Sequence, residues 1–442
     1  LSARHLTMIS IGGAIGTGLF VASGKTIHDS GPGGALVAYG LIGVMVFLLM
    51  QSLGEMAAYI PVAGSFGEYG ARFISPSFGF ATGWNFWYNW AITVAAELVA
   101  ASLVMKYWFP DVPGWVWSAV FLSILVALNA LSARAYGEGE FWFALVKVVA
   151  IVGMIVLGAV VIGLAVNSGS SLPDPSFAHL VDRGGFFPNG LSGMSASLVV
   201  VMFSFGGIEL IGITAGEAED PDRTIPKAIN QVIWRILIFY VGTMAVLMAL
   251  WPWNEVGMEA SPFVQIFQNV GIPAAAHILN FVVLTAAISV YNSAIYSNSR
   301  MLYGLSQRGD APPVLKSLSR RGVPVLGILI SSGITLIVVF LNYFFPGDVF
   351  LYLISIAICA AVISWTTIVV THLKFRRKME SEGKPIKFRA PFYPWINYLC
   401  LVFLVGVVVM MAQIPGMQLA VPILPAWLLV LWIGYRSRRR RG

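Results

Sequence analysis

Charge is scarce in this chain. Only 11% of its 442 residues are Asp, Glu, Lys or Arg, against 58% hydrophobic. An ordinary soluble domain carries about 25% charged residues, and a soluble fold this apolar lacks the polar groups to cover its surface. Cysteine is nearly missing too. Cys359 and Cys400 are the whole supply, too few for a disulfide framework, and both read as small apolar fillers. There is no Gly-x-x-x-x-Gly-Lys phosphate loop, no His-Glu-x-x-His and no spaced Cys/His set, so ATP-driven transport and metal catalysis lack their usual signatures. No cofactor or metal is expected. The largest loops, 167–190, 253–273, 305–323 and 374–393, are too short for a nucleotide-binding domain. What is abundant is apolar sequence, with a mean hydropathy of +0.81, and this excludes disorder. The expectation is a polytopic membrane protein built as one bundle. Its net charge of +7 reads as membrane topology and contact with anionic lipid rather than nucleic-acid binding. No cleavable signal peptide is visible, and because the chain opens at Leu1 a short leader is expected ahead of it.

A bilayer core of about 30 Å needs about 20 helical residues. Twelve stretches reach that length, at 6–27, 34–60, 79–108, 114–132, 141–166, 191–216, 228–252, 274–304, 324–345, 348–373, 394–413 and 417–435. An even number puts both termini on one side. With that side cytoplasmic, the inner segments carry 23 Lys and Arg residues and the outer ones 3 (Lys25, Lys106 and Arg183), leaving Lys147 inside a span. Basic residues favour the cytoplasm, so the split predicts cytoplasmic termini.

Two stretches carry glycine clusters at mid-depth. The first reads Gly12-Gly13-Ala14-Ile15-Gly16-Thr17-Gly18, and the sixth reads Phe203-Ser204-Phe205-Gly206-Gly207-Ile208-Glu209. Glycine inside a helix costs about 1 kcal/mol relative to alanine, so unwinding is cheap there. Unwound backbone cannot face lipid and must line a protein cavity. Its freed N–H groups can hold a carboxylate and its freed carbonyls an ammonium. Stretch one opens the first five helices and stretch six the second five, which predicts an inverted repeat with a central site. The plainer alternative is that the glycines only permit close helix packing.

At these residues the chain resembles bacterial amino-acid permeases of the amino acid–polyamine–organocation superfamily. The opening motif Gly12 to Phe20, then Gly31-Pro32-Gly33, Leu53-Gly54-Glu55-Met56 and Pro61 to Phe66 are similar to its early segments. Phe203 to Glu209, Ala215-Gly216-Glu217 and Ser299-Arg300-Met301-Leu302-Tyr303 match its later ones. The resemblance covers nearly the whole chain. It implies an all-α integral membrane fold with a five-plus-five inverted repeat over 1–166 and 167–373, and two accessory spans with a basic tail over 374–442. It implies uptake of an L-amino acid driven by protons. Carried over, the Thr17 and Gly18 amides would meet the substrate carboxylate, and the carbonyls of Ala14, Phe203 and Gly206 its ammonium. Gly16 and Ser204 complete this backbone site. Residues 5–150, with Trp84 to Trp90 and Phe109 to Trp115, are most similar to lysine-specific permeases. Residues 195–435, with Val290-Tyr291-Asn292-Ser293 and His372 to Arg377, are more similar to aromatic and phenylalanine permeases. Where lysine permeases have a Gln in the sixth helix, this chain has Gly206.

Ionisable groups at mid-span are costly, so each is a functional candidate. Lys147 can load and release the coupling proton, or stand as a charged strut bonded to span-one carbonyls. In this superfamily the matching lysine lies where sodium-driven relatives hold an ion. Glu97 can meet a substrate's side-chain ammonium or bond a neighbouring helix. Glu209 can join a proton relay or hold the unwound backbone. Glu55 and Glu217, near cytoplasmic span ends, read as gate or structural groups. Phe203 can close over substrate. Ser289, Tyr291, Asn292 and Ser293 can line the side-chain pocket or bond between helices.

These observations predict a proton-coupled amino-acid symporter of a bacterial inner membrane, working by alternating access and leaning to lysine or another cationic amino acid. The alternative substrate class is aromatic or neutral. A channel or sensor without coupled transport is a further alternative. A membrane enzyme is disfavoured, because no nucleophile–base pair recurs at membrane depth. Substrate, protons and membrane lipids are the expected partners.

Overall fold

A computed structural model describes residues 15–62, 65–131, 133–165, 175–215, 220–257, 261–344 and 349–439. Helices account for nearly all of it, and no strand occurs among the described residues. A π-helical turn, Gly18–Ala22, leads into α1 (Ser23–Tyr59). There follow α2 (Ser65–Phe73), α3 (Pro76–Met105), α4 (Gly114–Leu131), α5 (Ala133–Ala165), α6 (Gly190–Ser204) and α7 (Leu210–Thr214). The second half holds α8 (Pro221–Leu250), α9 (Pro262–Asn269), α10 (Pro273–Gln307), α11 (Val325–Phe344), α12 (Val349–Ser381), α13 (Trp395–Met411) and α14 (Ile423–Arg439). Six helical stretches are long and apolar enough to cross a membrane: Gly18–Tyr59, Pro76–Met105, Gly139–Leu164, Pro273–Gln307, Val349–Ser381 and Gln418–Arg438. Shorter apolar helices fill the other expected stretches, at Gly114–Ala130, Gly190–Ser204, Leu237–Leu250, Val325–Leu341 and Trp395–Met411.

Local chemistry explains several boundaries. Ser75 accepts the Phe78 N–H at 3.2 Å and caps α3, with Pro76 at its first position. Prolines also open α8, α9 and α10, where a missing N–H removes no helical bond. The gap expected between the first two stretches is a sharp kink at Gly31 that divides α1 into two helical segments. Gly31 takes φ 68°, which a side chain would resist, and Pro32 starts the next helical segment. The Gly33 N–H then bonds the Phe186 carbonyl at 2.7 Å. A Cβ on Gly31 would fall 2.3 Å from Pro188, so the kink is also a contact point.

The helices pack as two groups. In one, α1 lies along α6 and α8. In the other, α3 lies along α10, and α4 along α11. Helix α12 packs against both α3 and α1. Buried amides tie the second group together and to α12. Asn85 Nδ2 donates to the Ala360 carbonyl at 3.0 Å and to Ser364 Oγ at 2.9 Å, and Asn280 Nδ2 donates to the Val104 carbonyl at 3.1 Å. Between α1 and α8, Gln51 Nε2 donates to Asn230 Oδ1 at 2.9 Å. Such bonds average about 0.6 kcal/mol in membranes, and their main effect is to fix which helices are neighbours.

Candidate functional site

The sixth stretch breaks where its glycines lie. Helix α6 ends at Ser204, residues 205–209 are turns, and α7 begins at Leu210. Gly207 supplies the left-handed residue the turn requires, at φ 95°. Where the helical bonding stops, backbone groups are freed, and side chains take up two of them. The Tyr240 hydroxyl on α8 donates to the Ser204 carbonyl at 2.6 Å. Glu209 Oε2 accepts the Gly207 N–H at 3.1 Å. Glu209 therefore holds unwound backbone, one of the two roles its position suggested.

The described end of the first glycine cluster faces this break. Ile15 and Gly16 form a bend, and the π turn follows. Its Gly18 lies so close to α6 that a Cβ there would stand 2.5 Å from the Ser204 Cα. Helix α9 covers this turn from the other side, with the Phe20 and Phe263 rings 4.8 Å apart.

A cavity with about 490 Å³ of empty space lies between the breaks. Gly16, Gly18, Phe203, Gly206, Glu209 and Glu97 line it, so both glycine clusters and the mid-span carboxylate of α3 meet at one place. Glu97 is turned toward the backbone. Its Oε2 accepts the Thr17 N–H at 3.4 Å, and a Cβ on Gly16 would come within 2.8 Å of its Oε1. Ser204 ends α6 beside the cavity, with its hydroxyl 3.4 Å from that of Tyr39. Ala14 and Glu217 lie outside the described residues.

Other expected residues sit elsewhere. Tyr291 and Asn292 are buried in α10 but do not line the cavity; Asn292 Oδ1 accepts from Asn129 Nδ2 at 2.7 Å, a bond between α10 and α4. Lys147 is fully buried in α5. Glu55 is also fully buried. Both of its oxygens meet Arg376 of α12, and Oε2 accepts the Ala390 N–H at 2.6 Å and lies 3.2 Å from His372 Nε2. His372 in turn meets the Asn397 amide at 2.9 Å.

Sequence reasoning missed two things. One is the rest of the cavity wall: Asn89, Trp90 and Thr93 from α3, and Ala357, Ile358 and Ala361 from α12. Asn89, Thr93 and Glu97 recur every four residues and so share one helix face, a signal the sequence does carry. The other is Glu140. It is fully buried, its Oε1 accepts from Ser289 Oγ at 2.5 Å, and its Oε2 has no hydrogen-bond partner among the described residues. Nothing near Glu140 in the chain announces this, since Ser289 follows 149 positions later.

Comparison with known proteins agrees with this geometry. A family model described as amino acid permease matches residues 5–442. The aromatic amino acid transport protein AroP of Escherichia coli (strain K12) is 46% identical over 440 residues, covering 100% of this chain and 95% of that protein. The AroP of Salmonella typhi is 44% identical with the same coverage. An uncharacterized amino acid permease of Bacillus subtilis (strain 168), YtnA, is 46% identical over 99% of this chain and 94% of its own length. With a family match over residues 5–442, long apolar helices and a helix break at 205–209 that fronts a buried cavity, the chain is a multi-pass membrane transporter, not an enzyme, and it belongs to the amino acid permease family.

Proposed function

We propose that this chain takes up an aromatic or other large neutral L-amino acid together with a proton, across a bacterial inner membrane and with both termini cytoplasmic. One observation carries the reading: the two glycine clusters, at Gly16 and Gly18 and at Gly206 and Gly207, front a single cavity whose other walls include Trp90, Met202, Phe203, Val290 and Ile358. Backbone groups there suit the ends common to all amino acids. The apolar walls suit a ring rather than a charged chain. The lean to lysine gives way, because the relatives at 44–46% identity include transporters named for aromatic substrates. The carboxylate that would have received a side-chain ammonium, Glu97, is engaged with the Thr17 amide. Twelve spans in a five-plus-five repeat over 1–166 and 167–373, with the rest accessory, is the architecture we assign. The division into an α1–α6–α8 group and an α3–α4–α10–α11 group supports alternating access by rocking of one against the other about the cavity.

The test is uptake of radiolabelled phenylalanine into proteoliposomes under an imposed pH gradient, with each of the twenty amino acids as competitor. Phenylalanine, tyrosine and tryptophan should compete and lysine should not. Competition by lysine alone would reverse the substrate assignment. Failure to accumulate phenylalanine against its gradient would point to a channel or sensor.

Two substitutions probe the buried charges. Lys147→Ala is expected to abolish pH-driven accumulation while substrate counterflow persists, since Lys147 lies outside the cavity wall. Unchanged pH-driven uptake would remove Lys147 from coupling. Glu97→Gln replaces the carboxyl that accepts the Thr17 N–H at the first glycine cluster, so uptake of every substrate should fall. A loss confined to cationic substrates would instead place Glu97 against a side-chain charge.

A further inference from the structure

A second, wider groove lies away from the central cavity. It is a groove with about 2050 Å³ of empty space, against about 490 Å³ in the centre. Three helix ends frame it: the start of α3, the end of α10 with the turn after it, and the end of α14. Its walls are aromatic and aliphatic, with Phe80, Trp84 and Trp87 from α3 facing Trp427, Val430 and Leu431 from α14. The outer face of α14 is bare apolar surface, with Leu429 55% and Trp432 50% exposed. A groove opening onto such a face admits hydrocarbon in preference to water. From Pro76 to Trp87 the wall runs eleven residues, about 16 Å at 1.5 Å each, which is half of a bilayer core of about 30 Å. One acyl chain of one leaflet has that reach.

The mouth is polar and basic. Asp310 is gripped by Arg308, Nε to Oδ2 at 3.0 Å, and by Arg438 on its other oxygen. Glu68 approaches Arg308 at 4.0 Å. Lys316 is exposed at the rim and has no carboxylate within salt-bridge distance among the described residues. The basic groups thus outnumber the acidic ones where a headgroup would rest. On the distribution of basic residues this end is cytoplasmic, where anionic lipid is encountered.

We infer that this groove holds one anionic phospholipid, its acyl chain along Trp84, Trp87 and Trp427 and its phosphate beside Lys316 and Arg438. The occupant is a lipid and not a free phosphate, because most of the lining can bond nothing. The inference reaches beyond transport and is read without it.

Native mass spectrometry of the full chain in detergent tests it, with phosphatidylglycerol or phosphatidylcholine of identical chains added. The wild-type protein should retain one phosphatidylglycerol and release phosphatidylcholine. Lys316→Gln should weaken retention by roughly fivefold, the value of one interfacial basic residue. Gly434→Leu tests the walls separately. A Cβ at Gly434 would meet Phe80 at 3.5 Å, an ordinary contact, so the larger side chain fills the groove without forcing the backbone. It should expel the lipid while Lys316 stays in place. Equal retention of the two lipids by the wild type, undiminished retention in Gly434→Leu, or displacement of the lipid by glycerol phosphate would each overturn the inference. So would a dimer joined through α14 with lipid-free grooves.

Discussion

A single methyl group added at Gly18 is expected to silence transport. The Cβ of Gly18→Ala would stand 2.5 Å from the Ser204 Cα and 2.8 Å from its amide nitrogen. Both are backbone atoms, so no rotamer change relieves the clash. Overpacking of this kind costs typically 1–3 kcal/mol, and here relief comes only by moving the π turn off α6. Those two elements form facing walls of the cavity, so the relief is taken from the binding geometry itself. Initial phenylalanine uptake per unit of membrane-inserted protein should fall at least tenfold, on the order of the 1.4 kcal/mol that a factor of ten represents. Gly40→Ala is the matched control. It adds the same methyl in the same helical run, where nothing lies within 4 Å, and uptake should equal that of the wild type. Normal uptake by Gly18→Ala would show that the two breaks need not touch.

The second large effect is on stability. Glu55 joins three parts of the chain at one end of the bundle: α1, on which it sits, Arg376 on α12, and the Ala390 amide in the segment after α12. Breaking a buried pair by removing one partner costs about 3–5 kcal/mol, because the other charge stays behind in a poor solvent. Glu55→Ala should therefore lower the unfolding temperature in detergent markedly and open the 382–393 segment to protease. Arg376 keeps a contact with the half-exposed Glu380, Nε to Oε1 at 3.1 Å, which does not replace a fully buried partner. The double change Glu55→Leu with Arg376→Met should be milder than Glu55→Ala alone, since it leaves no unpaired charge. If the single and double variants unfold alike, the pair is a bystander and the fold is held by packing.

The sequence was most informative where cost per residue is high. Twenty apolar residues, a lone lysine among them, or four glycines within two turns each leave a mark that no soluble alternative explains. Hence the long apolar helices, the buried positions of Lys147 and Glu97 and the break at 205–209 are legible in the sequence. Features that depend on meeting a distant partner were not. Glu140 falls one position before the stretch counted as membrane-spanning, and it reads as a loop charge until Ser289 is brought against it. Helices α2 and α9 are too short to register as spans. Their burial comes from side chains such as Phe66 and Phe263 packing under neighbours far along the chain. Gly31-Pro32 falls in the gap between the first two expected stretches, and the structure closes that gap to a kink at which the Phe186 carbonyl satisfies the freed Gly33 amide. Tyr291 and Asn292 show the converse: a polar run on a helix says that something polar faces it, but not whether that is a pocket or another helix.

The hydroxyl of Tyr240 resting on the Ser204 carbonyl has a thermodynamic corollary. A carbonyl already capped, like an amide already held by Glu209, does not wait for an incoming molecule to quench it. The interruption in the sixth stretch is complete before anything arrives. No ordering penalty is left to be met on arrival, and the contact energy of the guest remains available for telling one side chain from another.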